Sequence, residues 1–179
     1  MDGDQVNTLR RVSKILLPAA LAGLLLSPAL AEENLTGTNV SLSAPGVTAS
    51  QQPAGSRVLN TARSFLGIPY RWGGTTAKGG FDCSGYVQEV LRLNGFKVPR
   101  LADVQFAKSR KVSYQNLMPG DMVFFSTYLA GASHCGFYLG DGEFIHASSA
   151  GKKVIISRMD RGYYRQRFVG GGRPANWPG

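Results

Sequence analysis

Helical and strand-like segments are segregated along this chain, and that order restricts the fold it can adopt. Helical patterns run from about Arg57 to Leu66 and from about Asp82 to Leu93, with a weaker one from Leu101 to Ser109. After Pro119-Gly120 the pattern changes to short strand-like runs at residues 121–126, 133–139, 143–148, 154–158 and 165–169. Helices followed by hairpin-linked strands predict an α+β domain, in which N-terminal helices pack on an antiparallel sheet of about five strands.

The flanking segments differ from this domain in composition. Residues 1–31 combine three basic side chains, a short apolar run and an Ala-Leu-Ala end, which predicts a secretory signal peptide cleaved after Ala31. A retained membrane anchor is the alternative, but the apolar run is shorter than the ~20 residues that a spanning helix needs. Residues 32–56 predict a flexible linker, 57–169 the folded domain and 170–179 a flexible tail. The mature protein is therefore expected in the periplasm or cell envelope, without stable membrane insertion.

The chain is basic, with 20 Lys and Arg against 11 Asp and Glu. Such a surplus favours an anionic partner such as a cell-wall polymer, a lipid headgroup or nucleic acid, and export makes nucleic acid the least favoured. A solvated basic surface is the alternative. The two histidines and scattered carboxylates lack the spacing of metal ligands, so we expect no metal and no cofactor. We also expect the protein to be a monomer.

Cys83 is the main candidate for chemistry. It lies in Gly80-Phe81-Asp82-Cys83-Ser84-Gly85, where a glycine-rich turn passes into a helical pattern. A thiol becomes a nucleophile when it ionises, and a helix N-terminus and a nearby imidazole both promote ionisation. The only two histidines, His134 and His146, lie in the strand-like half of the chain. Together these residues predict a cysteine hydrolase.

Whether the two histidines share a face of the sheet depends on the hairpin loop at Gly140-Asp141-Gly142. A three-residue loop, in which Leu139 pairs with Glu143, makes His134 and His146 diagonal neighbours with Cα atoms about 7–8 Å apart. A two-residue loop would place them on opposite faces. Glycine at both ends favours the three-residue loop, because such loops require unusual dihedral angles.

On that register His134 is predicted to deprotonate Cys83 and later to protonate the leaving amine, and His146 to orient His134. The backbone N–H of Cys83 and the phenol of Tyr70 are predicted to stabilise the oxyanion. Cys135, beside the base, is predicted to be a small buried residue. A Cys83–Cys135 disulfide, which would inactivate the nucleophile, is the alternative.

Substrate-binding residues are predicted around the start of the same helix. Asp82 is ambiguous, since it can cap the helix or hold a cationic part of the substrate. Ser84 likewise has two possible roles, as a residue of the helix surface or as a contact to the substrate. Trp72 and Arg100 complete the predicted substrate-binding set, with Trp72 as cleft wall.

Five stretches in the same order resemble the NlpC/P60 family of cell-wall cysteine peptidases. They are Pro-Tyr-Arg-Trp-Gly-Gly at 69–74, Gly-Phe-Asp-Cys-Ser-Gly at 80–85, Leu-Met-Pro-Gly-Asp-Met-Val-Phe-Phe at 117–125, His-Cys-Gly-Phe-Tyr-Leu-Gly at 134–140 and Phe-Ile-His-Ala at 144–147. The resemblance is strongest to compact, single-domain members of the Gram-negative envelope type. Those are often lipoproteins, whereas this chain has no cysteine near the predicted cut.

The resemblance implies a papain-like fold and a Cys-His-His triad at Cys83, His134 and His146. It also implies that Tyr70 polarises the scissile carbonyl, and that the residues flanking the nucleophile recognise the substrate peptide. Members typically cut peptidoglycan stem peptides beside D-glutamate or diaminopimelate, without metal or cofactor. Two departures from the family pattern are Cys135, where valine is common, and Leu101, where Ser or Thr is usual.

The expected function is therefore that of a secreted endopeptidase acting on peptidoglycan. One alternative is a wall-binding module whose site is silent. Another is an amidase or acyltransferase that uses the same triad.

Overall fold

A computed structural model describes residues 52–178 of the chain. The predicted signal peptide and most of the predicted linker lie outside the described residues. The described chain forms α1 (Ala54–Ser64), β1 (Thr75–Thr76), β2 (Gly80–Phe81), α2 (Cys83–Leu93), α3 (Ala102–Lys108), β3 (Arg110–Val112), a 3₁₀-helix (Tyr114–Asn116), β4 (Met122–Phe125), β5 (His134–Gly140), β6 (Glu143–Ser148), β7 (Lys153–Arg158), α4 (Gly162–Arg165) and β8 (Phe168–Arg173). None of these helices has the length and apolar character needed to span a bilayer.

The sheet has six strands in the order β3-β8-β4-β5-β6-β7, and every neighbouring pair is antiparallel. The predicted α+β class is therefore confirmed. The strand beyond the predicted five is β3, which pairs with β8 at one edge. A separate two-stranded ribbon of β1 and β2 leads directly into α2.

Helix α1 begins at Ala54, so the last three residues of the predicted linker belong to the folded domain. The small residues that suggested a linker are required by packing. A Cβ atom at Gly55 would lie 2.4 Å from the carbonyl oxygen of Pro119, so only glycine lets the helix approach that turn. Val58, Leu59 and Ala62 then form the buried face predicted by the helical pattern.

The prediction of a flexible tail from residue 170 is wrong for its first four residues, which belong to β8. The glycines that suggested a tail allow close packing of β8 against residues outside the sheet. A Cβ at Gly171 would lie 2.5 Å from Leu117 Cδ2, and one at Gly172 would lie 2.2 Å from Ser109 Oγ. Glycine in a strand often marks such a close approach.

The β5–β6 hairpin differs from the predicted three-residue loop. Gly140 pairs with Glu143 across a two-residue turn, and an irregularity follows between Tyr138 and Gly140. That bulge restores the predicted register, since Phe137 pairs with Ile145. The loop prediction is therefore wrong, while the prediction that both histidines share a face is confirmed.

Both faces of the sheet are covered. Along β4, Met122 and Phe124 pack with the helices, and Val123 and Phe125 pack in a second apolar cluster on the other face. The side chains of β5 also alternate between the two faces of the sheet. Cys135 is fully buried on the helix side, as predicted for a small core residue, and His134, which pairs with Phe125, lies on the opposite face at the start of the strand.

Candidate active site

Asp82 fixes the start of α2 and hence the position of Cys83. Its Oδ1 accepts a hydrogen bond from the backbone N–H of Gly85 at 2.7 Å, and its Oδ2 accepts one from Gly73 at 3.0 Å. The first bond is an N-cap, one of the two roles that the sequence left open for Asp82. Cys83 is the first residue of α2, where the backbone N–H has no partner within the helix itself.

Arg100 lies across this helix start. Its guanidinium donates to both carboxylate oxygens of Asp82, and Nη1 also donates to Ser84 Oγ at 2.8 Å. The carboxylate beside the thiol is thus neutralised by a partner of opposite charge. Leu101 follows, and it gives α3 no side-chain cap, consistent with its departure from the family pattern.

The two histidines form a hydrogen-bonded pair. His134 Nε2 lies 2.7 Å from His146 Nδ1, and His146 Nε2 lies 2.9 Å from Ser157 Oγ. The rings are nearly perpendicular, at 88°, and the ring of Tyr164 packs beside both. His146 is completely buried, and burial, with a smaller contribution from His134, lowers its pKa well below the ordinary value.

The Cys83 thiol is poised to ionise. A hydrogen bond from Cys135, together with the hydrogen bond and charge of His134, lowers the pKa of Cys83 from 9.0 to about 5, although burial and Asp82 act in the opposite direction. Burial raises the pKa of Cys135 well above its ordinary value. The structure therefore holds two free thiols of opposite character, one a thiolate at neutral pH and the other protonated.

A cavity of about 560 Å³ opens over the thiol. It brings together six of the eight predicted site residues, namely Tyr70, Trp72, Asp82, Cys83, Ser84 and Arg100. Burial, followed by the charges of Cys83 and Asp82, raises the pKa of Tyr70 to about 12, so its phenol remains a donor at neutral pH. His134 lines a second cavity of about 400 Å³, and His146, its hydrogen-bond partner, is fully buried.

The mouth of the first cavity carries exposed apolar side chains. Trp72, Leu101, Tyr128 and Leu129 each expose more than half of their surface, and the rings of Trp72 and Tyr128 meet edge to face at 5.7 Å. A rim of large apolar groups around a polar floor is typical of a binding cleft.

Sequence reasoning missed four residues around the site. Tyr128 and Tyr164 come from loop and short-helix segments without a usable pattern. Gln105 is buried in α3, where it donates to the carbonyl of Ser84 at 3.0 Å and its Oε1 accepts from the Cys135 thiol at 3.7 Å. Ser157 could have been found, because the alternation of side chains along β7 places it on the face of His146.

Residues 67–173 match the NlpC/P60 family, and the chain belongs to that family. It is 40% identical over 114 residues to murein DD-endopeptidase MepS/murein LD-carboxypeptidase of Escherichia coli, covering 63% of this chain and 59% of that protein. It is 43% identical over 126 residues to gamma-DL-glutamyl hydrolase of Bacillus subtilis, covering 69% of this chain and 30% of the relative.

Solved structures of similar proteins support the same family assignment. A crystal structure of an NlpC/P60 family protein from Bacillus cereus superimposes with a TM-score of 0.64 at 34% identity, covering 70% of this chain and 41% of that chain. The peptidoglycan hydrolase RipB of Mycobacterium tuberculosis gives 0.59 at 30% identity, covering 78% and 73%. The match spans between 30% and 59% of the length of the curated relatives.

Proposed function

We propose that this protein is a cysteine endopeptidase that hydrolyses peptide bonds in the stem peptides or cross-links of peptidoglycan. The observation that carries the proposal is the row Cys83, His134 and His146. A thiol with a pKa of about 5 begins a helix, and it interacts with an imidazole whose far nitrogen is hydrogen-bonded at 2.7 Å to a buried second imidazole. A protein that only binds the wall has no need of this arrangement.

The reaction follows from these positions. The thiolate of Cys83 attacks the scissile carbonyl, and the resulting oxyanion accepts hydrogen bonds from the backbone N–H of Cys83 and the phenol of Tyr70. His134 gives the proton it took from the thiol to the leaving amine as the C–N bond breaks. A water molecule then gives a proton to His134 and attacks the acyl-enzyme, and the thiol is released. His146 holds His134 in place through both steps.

The substrate class is supported by the relatives. They include a probable peptidoglycan endopeptidase, two murein DD-endopeptidases and a gamma-DL-glutamyl hydrolase. The cavity over Cys83 is large enough for several peptide groups, with Asp82, Ser84 and Arg100 as polar contacts and Trp72 as wall. Peptidoglycan as the partner also accords with the net charge of +9, since its stem peptides carry carboxylates. Location in the cell envelope is part of the proposal.

Purified sacculi provide the test. The protein obtained from expression of the full chain is incubated with sacculi, and the released fragments are identified by mass. We expect loss of cross-links or of stem-peptide residues with the wild type and no release with Cys83→Ala. Release by Cys83→Ala equal to the wild type would contradict the proposal. Intact stem peptides separated from the glycan would instead indicate an amidase, and binding without release in both proteins would indicate a silent wall-binding module.

A further inference from the structure

Both ring nitrogens of His146 are engaged in a buried site. Nδ1 faces His134 Nε2 at 2.7 Å, and Nε2 faces the hydroxyl of Ser157 at 2.9 Å. His146 has no exposed surface, so water does not reach its ring. The position of the ring proton therefore depends on these two contacts, with His134 and with Ser157.

The backbone brings Ser157 to this position. In the β6–β7 ladder His146 pairs with Ile155, and Phe144 pairs with Ser157. His146 and Ser157 are thus diagonal neighbours on one face, two residues apart along each strand. The ring of Phe144 stacks on that of His146, with centroids 4.4 Å apart, which holds the imidazole over the serine.

A neutral imidazole carries one N–H, and its position has consequences along the row. If Nε2 of His146 carries the proton, it donates to Ser157, and Nδ1 accepts from Nε2–H of His134. The other nitrogen of His134 is then free to take the proton of Cys83. If instead Nδ1 of His146 carries the proton, Nε2 of His134 must accept. The remaining nitrogen of His134 is then protonated and cannot act as the base.

The same tautomer of His146 is required when His134 is protonated. When His134 holds the proton of Cys83, both of its nitrogens donate. Nδ1 of His146 must accept, its Nε2 must carry the hydrogen, and Ser157 must accept that hydrogen. The hydroxyl hydrogen of Ser157 can point into the adjoining cavity of about 400 Å³, which Ser157 and His134 both line.

We propose that Ser157 is a positioning residue for this reaction, which accepts a hydrogen bond from His146 Nε2–H and so selects the tautomer in which His134 can act as a base. The inference rests on the proposed function, because it assigns a role within the same site. It extends the row of interacting groups to four residues, from Cys83 through both histidines to Ser157.

The test reads the tautomer directly. The chain has only two histidines, so labelling them with ¹⁵N gives four ring-nitrogen signals in a long-range ¹H–¹⁵N spectrum. The proteins compared are the wild type, Ser157→Ala, Ser157→Thr and Ser149→Ala. Ser157→Thr keeps the hydroxyl, and Ser149→Ala removes a serine that lines the same cavity. Dispersion of the backbone amide spectrum shows that each variant is folded.

The tautomers are read with Cys83 replaced by alanine in each protein, so that His134 holds no thiol proton and does not by itself fix the tautomer of His146. We expect the parent protein, Ser157→Thr and Ser149→Ala to show His146 protonated at Nε2, and Ser157→Ala to populate the Nδ1–H form. Release of fragments from sacculi should fall about tenfold in Ser157→Ala and recover in Ser157→Thr, an effect of the size seen for groups that orient a metal-binding histidine through its far nitrogen. A folded Ser157→Ala with the wild-type tautomer, or with the wild-type rate, would overturn the inference. If Cys83→Ala releases as much as the wild type, the proposed function fails instead, and the tautomer measurement still decides the contact.

Discussion

Arg100 and Asp82 form a two-pronged ion pair directly over the start of the helix that carries Cys83. Nη1 of Arg100 lies 3.0 Å from Oδ1 of Asp82, and Nη2 contacts Oδ2. The pair is partly buried, with 33% of the Arg100 side chain and 12% of the Asp82 side chain exposed. Without the guanidinium, the negative charge of Asp82 would act on the neighbouring thiolate uncompensated.

We therefore predict that Arg100→Ala raises the pKa of Cys83 and slows the reaction at neutral and acidic pH. The stability loss should be modest, about 1 kcal/mol, because the guanidinium is one-third exposed and screened by solvent. The measurements are the rate of iodoacetamide alkylation of Cys83 against pH and unfolding in urea. Arg92→Ala is the matched control, since Arg92 pairs with Glu89 on the exposed face of the same helix. Equal alkylation profiles for the two variants would show that the Arg100–Asp82 pair does not act on the thiol.

A second prediction concerns the effect of Cys135 on the pKa of the Cys83 thiol. A hydrogen bond from Cys135 is the largest cause of the lowered pKa of Cys83. Its single S–H can point to Cys83 or to Oε1 of Gln105, and a thiolate attracts it more strongly than a neutral amide. Cys135→Val, which fills the site without a donor, should move the midpoint of alkylation above pH 5.

The lowered pKa of Cys83 determines the direction in which the alkylation rate changes with pH. The thiolate of Cys83 is present above about pH 5 and is protonated as the pH falls through that value, so alkylation should stop in acid. In Cys135→Val the same loss should occur at higher pH. Cys135→Ser restores a donor and should return the midpoint toward that of the wild type. An unchanged midpoint in Cys135→Val would assign the lowered pKa to His134 instead.

Much of this site is encoded in short-range patterns. The position of Cys83 follows from Asp82 and the glycine-rich turn before it, and the shared face of the histidines follows from parity along two strands. The bulge near Leu139 could not be predicted, because its pairing is decided by packing of the whole sheet rather than by the loop residues. The same holds for Gly171, where the sequence shows only a flexible residue and the structure requires an absent side chain. Sequence composition therefore misassigned both ends of the domain, where small residues serve tight packing.

The histidines should contribute unequally. Removing the proposed base, as in His134→Ala, should lower the rate by about 10²–10⁴-fold, the usual contribution of general acid–base catalysis. His146→Ala should cost less, because it removes only the group that orients the base. His146→Gln should recover part of the loss, since an amide oxygen can accept the hydrogen bond from His134 Nε2. The rates come from fragment release from sacculi, and equal losses for the two alanine variants would count against these roles.

The C-terminal strand provides a prediction about stability. Arg173, in the segment that composition suggested was a tail, donates from Nε to Oδ1 of Asp121 at 2.5 Å and from Nη2 to Oδ2 at 2.9 Å. Asp121 is 1% exposed, and its Oδ2 also accepts from the backbone N–H of Met118 at 2.8 Å. Arg173→Ala leaves this buried carboxylate without its counter-charge, which typically costs about 3 kcal/mol.

Urea unfolding of Arg173→Ala checks this expectation against Arg167→Ala. Arg167 is a half-buried arginine just before β8 that stacks on Tyr163 and has no carboxylate partner among the described residues, so its loss should cost less than 1 kcal/mol. Asp121→Asn in the Arg173→Ala background should recover part of the stability, because a neutral amide needs no counter-charge. If Arg173→Ala were no less stable than Arg167→Ala, residues 170–173 would behave as the tail that their composition suggests. A loss confined to Arg173→Ala would show that residues 170–173 belong to the folded domain.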